Sequence, residues 1–168
     1  MKTLVENLSQ YAAYHRDSRN IVTHFVGIPM IVLAVTMLLS RPYVDVAGVA
    51  LSPALLLALV SSAYYLRLDL RFGLVMSALL AVSVYVSAVV STQPTMFWLV
   101  SGIGLFVIGW VFQFIGHFYE GKKPAFVDDV MGLIIGPLFV VAEFAFLLGL
   151  RKEVQQQIDS ASGPIIRK

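Results

Sequence analysis

IVTHFVGIPMIVLAVTMLLS, residues 21–40, runs for twenty residues without a lysine, arginine, aspartate or glutamate. As a helix rising about 1.5 Å per residue, it matches the ~30 Å hydrocarbon core of a bilayer. Four more apolar stretches follow, at about 46–66, 72–91, 96–118 and 130–150. The joints carry Arg41-Pro42, Arg67 to Arg71, Thr92 to Thr95 with Pro94, and Gly121 to Pro124, which are the charge and turn signals that end membrane helices. Connections this short force neighbouring helices antiparallel. The expected fold is an all-α integral membrane bundle of about five apolar segments with an N-terminal interfacial helix. Residues 1–150 form one membrane-embedded domain and residues 151–168 a polar C-terminal tail.

Composition agrees with this reading. Of 168 residues, 58% are hydrophobic and 13% charged, against about 45–50% and about 25% in soluble domains. The mean hydropathy is +0.82. The absence of cysteine excludes disulfides, thiolate metal sites, Fe–S clusters and cysteine nucleophiles. Twelve Lys and Arg residues against ten acidic ones punctuate the apolar runs without forming a patch, so no nucleic-acid partner is expected. Three histidines are too few for a histidine-rich di-iron site. Residues 1–20 are polar and the first apolar run is too long for a signal-peptide core, so no cleavable leader is expected.

Basic residues orient the bundle. With a cytoplasmic N-terminus, Lys2, Arg16, Arg19, Arg67, Arg71, Lys122 and Lys123 lie inside, and Arg41 alone occupies an outer loop. The fifth stretch leaves two arrangements open. A plain crossing puts Arg151, Lys152, Arg167 and Lys168 outside. A segment broken at Gly136-Pro137, with Glu143 inside it, would be re-entrant and return the C-terminus to the cytoplasm.

Leu4, Leu8, Tyr11 and His15 recur at helical spacing, which predicts an amphipathic interfacial helix. His15 and His24 are nine residues apart, on opposite faces of a straight helix at about 100° per residue. They converge only if the chain turns between them, and Asp17-Ser18-Arg19-Asn20 offers the N-cap for that turn. Further on, Gln113, His117 and Glu120 stand at i, i+4 and i+7 on one helix face, and Gly116 permits close approach of a neighbour. The start of the first span and the end of the fourth share a side of the membrane whichever way the bundle points. His15, His24, His117 and Glu120 therefore gather at one end, with Asp69, Asp128 and Asp129 on the same side. Neutral imidazoles with carboxylate and water suit Fe(II), Zn(II) or Mn(II), and spacing does not choose among them. The bland alternatives are an interhelical hydrogen bond for His24 and a solvated Glu120 ending its helix.

Tyr11 and Tyr14-His15 with Asn20, His24, Gly27 and Pro29, then Gln113-Phe-Ile-Gly-His117 with Glu120 and Lys123-Pro124-Ala125, then Gly136-Pro137-Leu138-Phe139 with Glu143, form a combined pattern. It resembles the membrane 2-hydroxy fatty acid dioxygenases, long described as a domain of unknown function, from about residue 5 to 150. The resemblance implies an Fe(II)-dependent α-oxidation in which a long-chain 2-hydroxy fatty acid loses one carbon, O2 is consumed and CO2 released. Yeast members act in phytosphingosine breakdown at the endoplasmic reticulum. On this reading His15, His24 and His117 ligate Fe(2+), and Glu120 is a fourth ligand or a base orienting an imidazole. Asn20 and Gln113 hydrogen-bond a ligand or the substrate, and Glu143 is a more distant acceptor or proton carrier. Arg16, Arg19, Lys122 and Lys123 read first as positive-inside anchors and second as attractors of a fatty carboxylate.

The implied partners are the fatty acid, O2 and the lipid bilayer, with the oligomeric state left open. A bacterial member would sit in the inner membrane and a eukaryotic one in the endoplasmic reticulum, with the site on the cytoplasmic side. RCH(OH)COOH and O2 balance against RCOOH, CO2 and H2O without a reductant, which fits the lack of a dinucleotide fingerprint; Gly102 and Gly104 sit in an apolar span and read as helix packing. Two rival functions use the same residues. One is a zinc membrane hydrolase acting on a lipid amide or ester. The other is a non-catalytic scaffold or transporter with a proton-linked histidine network.

Overall fold

The computed structural model describes residues 2–166, with helices α1 (Leu4–Ala12), α2 (Ser18–Leu38), α3 (Pro53–Leu68), α4 (Leu70–Ser91), α5 (Thr95–Glu120), α6 (Gly132–Leu147) and α7 (Lys152–Ser162). A hairpin of β1 (Val44–Val46) and β2 (Val49–Leu51) precedes α3, and a 3-10 turn, Ala125–Val127, precedes α6. The chain is an all-α membrane protein. Among the described residues α2, α4 and α5 are long and apolar enough to cross a bilayer, and α6 with α7 forms a bent pair. Contacts divide the chain into two compact units, Met1–Ile28 with Trp110–Lys168, and Pro29–Gly109.

In the second unit, the stretch expected to cross at 46–66 is partly strand. Val44-Asp45-Val46 and Val49-Ala50-Leu51 alternate and pair antiparallel, with Val46 opposite Val49. The Ala47-Gly48 turn has positive φ at both positions, 53° and 82°, the backbone that lets a two-residue loop follow strand twist. Helix starts only at Pro53, behind the cap Ser52, leaving α3 just 16 residues long. Apolar content alone does not choose between strand and helix. Asp69 both ends α3 and caps α4, its carboxylate accepting from Phe72 N at 2.9 Å. Gly73 brings the two helices into backbone contact at Leu66. The polar atoms near the other end of this unit are paired: the Arg41 guanidinium donates to the carbonyls of Ser91 and Gln93 and lies over Trp98, whose indole N–H donates to Met37 O at 2.7 Å.

In the first unit, a Thr3/Glu6 capping box starts α1, whose buried Leu4, Leu8 and Tyr11 face α6 and α7. Of the two arrangements left open for this stretch, a break at Gly136-Pro137 does not occur, because α6 runs unbroken through Pro137. Proline there deprives one carbonyl, that of Leu133, of its helical N–H. The chain turns instead beyond Leu147, where Gly149 and Arg151 have φ of 74° and 53°, values that no right-handed helix continues through. The axes of α6 and α7 differ by 116°. Residues expected as a polar tail thus contain α7, which buries Val154 and Ile158 at i, i+4.

Candidate metal centre

The chain leaves the helix where the histidine spacing requires. α1 ends at Ala12 and α2 begins at Ser18, with the Asp17 carboxylate accepting from Arg19 N at 3.0 Å. The turn carries His15 back over the first turns of α2, and His15 Nε2 lies 3.0 Å from His24 Nε2. α5 adds His117, whose ring centroid is 4.9 Å from that of His15 and 5.2 Å from that of His24. One nitrogen from each ring falls within 4.8 Å of the others. All three side chains are buried. Gly116 makes this approach possible, since a Cβ there would stand 2.2 Å from Thr23 Oγ1 and 2.4 Å from Asn20 Oδ1.

Hydrogen bonding fixes which nitrogens are free. His15 Nδ1 lies 2.7 Å from Tyr11 O and His24 Nδ1 lies 2.9 Å from Asn20 O. A carbonyl only accepts, so each Nδ1 carries the proton and donates. In the neutral ring Nε2 then holds a bare lone pair, and two such lone pairs face one another at 3.0 Å. Burial, with the His24 ring as second cause, holds the His15 pKa well below its ordinary value, so adding a proton is not the easy remedy. A divalent cation is, because it accepts every lone pair at once. His117 also keeps a buried Nδ1 without a hydrogen-bond partner. The donor set fits a metal that accepts imidazole, with backbone carbonyls holding two rings in the ligating tautomer.

The other expected residues are placed as follows. Glu120 turns its carboxylate to the α1–α2 turn, accepting from Arg16 N at 3.0 Å on both oxygens, from Asp17 N at 2.8 Å and from Asn20 Nδ2 at 3.0 Å. Asn20 donates also to Tyr14 O at 3.3 Å, while its Oδ1 is buried and unpartnered. Gln113, one turn before His117, is buried with its Nε2 unpartnered. Glu143 is buried on α6 with its Oε1 3.8 Å from Arg16 Nη2. Asp128 bonds Tyr14 and Lys123 at the surface, and Asp69 serves as a helix cap.

Two contributors were missed by sequence reasoning as parts of this site. Tyr11 stacks on the His15 ring, 4.1 Å between centroids and 4° from parallel, at the i, i+4 spacing that the helical face already displayed. Arg16, expected first as a positive-inside anchor and second as an attractor of a fatty carboxylate, but not as a support of His15, is only 5% exposed. Its Nε donates to Ala12 O at 3.0 Å and to His15 O at 3.3 Å.

A family model described as 2-hydroxy-palmitic acid dioxygenase Mpo1-like matches residues 1–148. The 2-hydroxy-palmitic acid dioxygenase MPO1 of Saccharomyces cerevisiae is 28% identical over 158 residues, covering 93% of this chain and 87% of the yeast protein. No solved structure matches the chain.

Proposed function

The chain belongs to the Mpo1-like family, and from that premise we propose that it is an Fe(II)-dependent dioxygenase that shortens long-chain 2-hydroxy fatty acids by one carbon. The observation that carries the metal assignment is the pair of buried Nε2 atoms 3.0 Å apart, with His117 closing the group. His15, His24 and His117 would hold the ion. Bound Fe(II) supplies the one-electron chemistry by which triplet O2 reacts with a closed-shell hydroxy acid.

The protein's own groups do the rest. The carbonyls of Tyr11 and Asn20 hold two imidazoles in one tautomer. Glu120 gathers the backbone N–H groups of Arg16 and Asp17 and the Asn20 amide, which makes it a positioning residue for His15 and for the first turn of α2. Asn20 Oδ1 and Gln113 Nε2, buried and unpartnered, are an acceptor and a donor available to the 2-hydroxyl and carboxylate. Glu143, held against Arg16, is assigned to the surroundings of the site. The bilayer supplies the apolar medium for the acyl chain. The overall change, RCH(OH)COOH and O2 to RCOOH, CO2 and H2O, balances with O2 as the only oxidant.

Anaerobic purification with metal quantification, followed by O2 uptake on 2-hydroxypalmitate and chain-length analysis of the product, tests the reading. One iron per chain, one O2 consumed per CO2 released and a fifteen-carbon acid are expected. Ala at His15, His24 or His117 should abolish both metal retention and uptake while the protein still inserts. Zinc with no O2 uptake would assign a hydrolase instead, and a chain that retains no metal would assign a scaffold.

A further inference from the structure

His24 and His117 are carried by helices of 21 and 26 residues, whose backbone hydrogen bonds fix where the rings project. His15 has no such support, because it lies in the irregular segment between α1 and α2. A buried ligand on an irregular segment stays in place only if other groups hold that segment. Glu120 supplies one hold, on the N–H of Arg16.

The second hold comes from the far end of the chain. Arg16 Nη1 donates to Asp159 Oδ1 at 3.1 Å and to Gly163 O at 2.6 Å. Arg16 O accepts from Ile166 N at 2.7 Å, and Ser18 N donates to Ile166 O at 3.1 Å, so a short parallel bridge pairs Asp17 with Ile166. α7 delivers these groups. It is anchored through buried Val154 and Ile158 and through Ser162 Oγ, which donates to Ser9 O at 2.7 Å. Arg16 passes the restraint on: the same guanidinium that is gripped by α7 donates through Nε to the carbonyl of His15. All of these C-terminal groups lie beyond residue 148, where the family match ends.

We propose that the C-terminal segment Asp159–Ile166 is a clasp that positions the His15 ligand through Arg16, so that metal affinity depends on residues distant from the ion. The inference rests on the reading of His15, His24 and His117 as metal ligands. Asp159 and Ile166 act as positioning residues. Asp159 secures the guanidinium by charge, and the Ile166 N–H secures the Arg16 carbonyl by backbone pairing.

The test uses the full chain purified in detergent, with Zn(II) titrated against a competing chelator and Fe(II) titrated anaerobically. Asp159→Ala and Ile166→Pro, the latter removing the N–H that bonds the Arg16 carbonyl and fixing φ at that position, should each weaken metal binding by about tenfold or more, while far-ultraviolet helicity and membrane insertion stay those of the wild type. Asp159→Glu should recover part of the affinity, and Gln157→Ala, on the exposed face of α7, should match the wild type. A nitrogen-15 spectrum of the imidazoles should show the His15 signals moved in the Asp159→Ala protein and those of His24 and His117 little changed. If wild type binds metal, His15→Ala loses it, and both clasp variants keep wild-type affinity, the clasp is wrong and the ligand assignment stands. If wild type binds no metal, or His15→Ala keeps full affinity, both fall.

Discussion

Three donors converge on one carboxylate at Glu120: the N–H groups of Arg16 and Asp17 and the amide of Asn20. Glutamine at this position keeps one accepting oxygen, and alanine keeps none. Leaving a buried N–H without a partner costs about 1–3 kcal/mol, so Glu120→Ala should lower the melting temperature and the metal content markedly. Glu120→Gln should lose only charge assistance and retain most of the metal. Equal and complete metal loss in both variants would instead make Glu120 a direct ligand. His15 gives a pH prediction for the metal-free protein. Its folded pKa is depressed by burial and by His24, whereas in the unfolded chain it titrates near 6.5. The unfolded state therefore takes up the proton first as pH falls. Stability from this group is fully present above about pH 7 and is lost as pH drops below about 6.5, at up to about 1.4 kcal/mol per pH unit. Melting temperatures of the apo protein between pH 8 and 5 check this, and a flat profile would contradict it.

Two glycines in apolar helices separate backbone from side-chain packing at the scale of the element. A Cβ on Gly73 would stand 2.6 Å from Leu66 Cα and 2.7 Å from Leu66 N, and neither backbone atom can move without parting α3 from α4. A Cβ on Gly102 would meet Leu38 Cδ2 at 2.7 Å, the tip of a side chain that can change rotamer. Gly73→Ala should thus cost the upper part of the about 1–3 kcal/mol typical of overpacking, and Gly102→Ala distinctly less; thermal unfolding of the two variants in detergent compares them. Elements were legible in the sequence where one signal dominated. The starts of α2 and α5, the turn around Asp17 and the close approach at Gly116 all followed from spacing, charge and residue size. β1 and β2 were hidden because Val44 to Leu51 is apolar enough to pass for membrane helix. α7 was hidden because two apolar residues, Val154 and Ile158, are too few to reveal a period. The clasp left still less trace: the N–H of Ile166 and the carbonyl of Gly163 are groups that nearly every residue carries, so no residue type marks them.

For the chain as a whole, the sequence leaves the path of residues 130–150 open, and the contacts of α6 bear on it. Near its start, Asp129 lies 3.4 Å from Gln10 Nε2 and 3.6 Å from Lys2 Nζ. Gly136 packs against Tyr11, and Glu143 pairs with Arg16. The helix thus keeps beside α1 and the segment that follows it, from one end to near the other, whereas a straight crossing would leave α1 behind within a few turns. After the bend, α7 returns to α1 at Ser9. If α1 lies at the interface as its amphipathic face requires, then Arg151 and Lys152 join Lys2, Arg16, Lys122 and Lys123 on one side, and the conflict with the positive-inside rule disappears. The chain holds no cysteine, so a single introduced thiol reports its own side without background. In sealed vesicles, an impermeant maleimide should label Gln157→Cys from the same side as Lys123→Cys, the side expected to be cytoplasmic. Labelling of Gln157→Cys only from the opposite side would restore the plain crossing, and would also carry Asp159 away from Arg16.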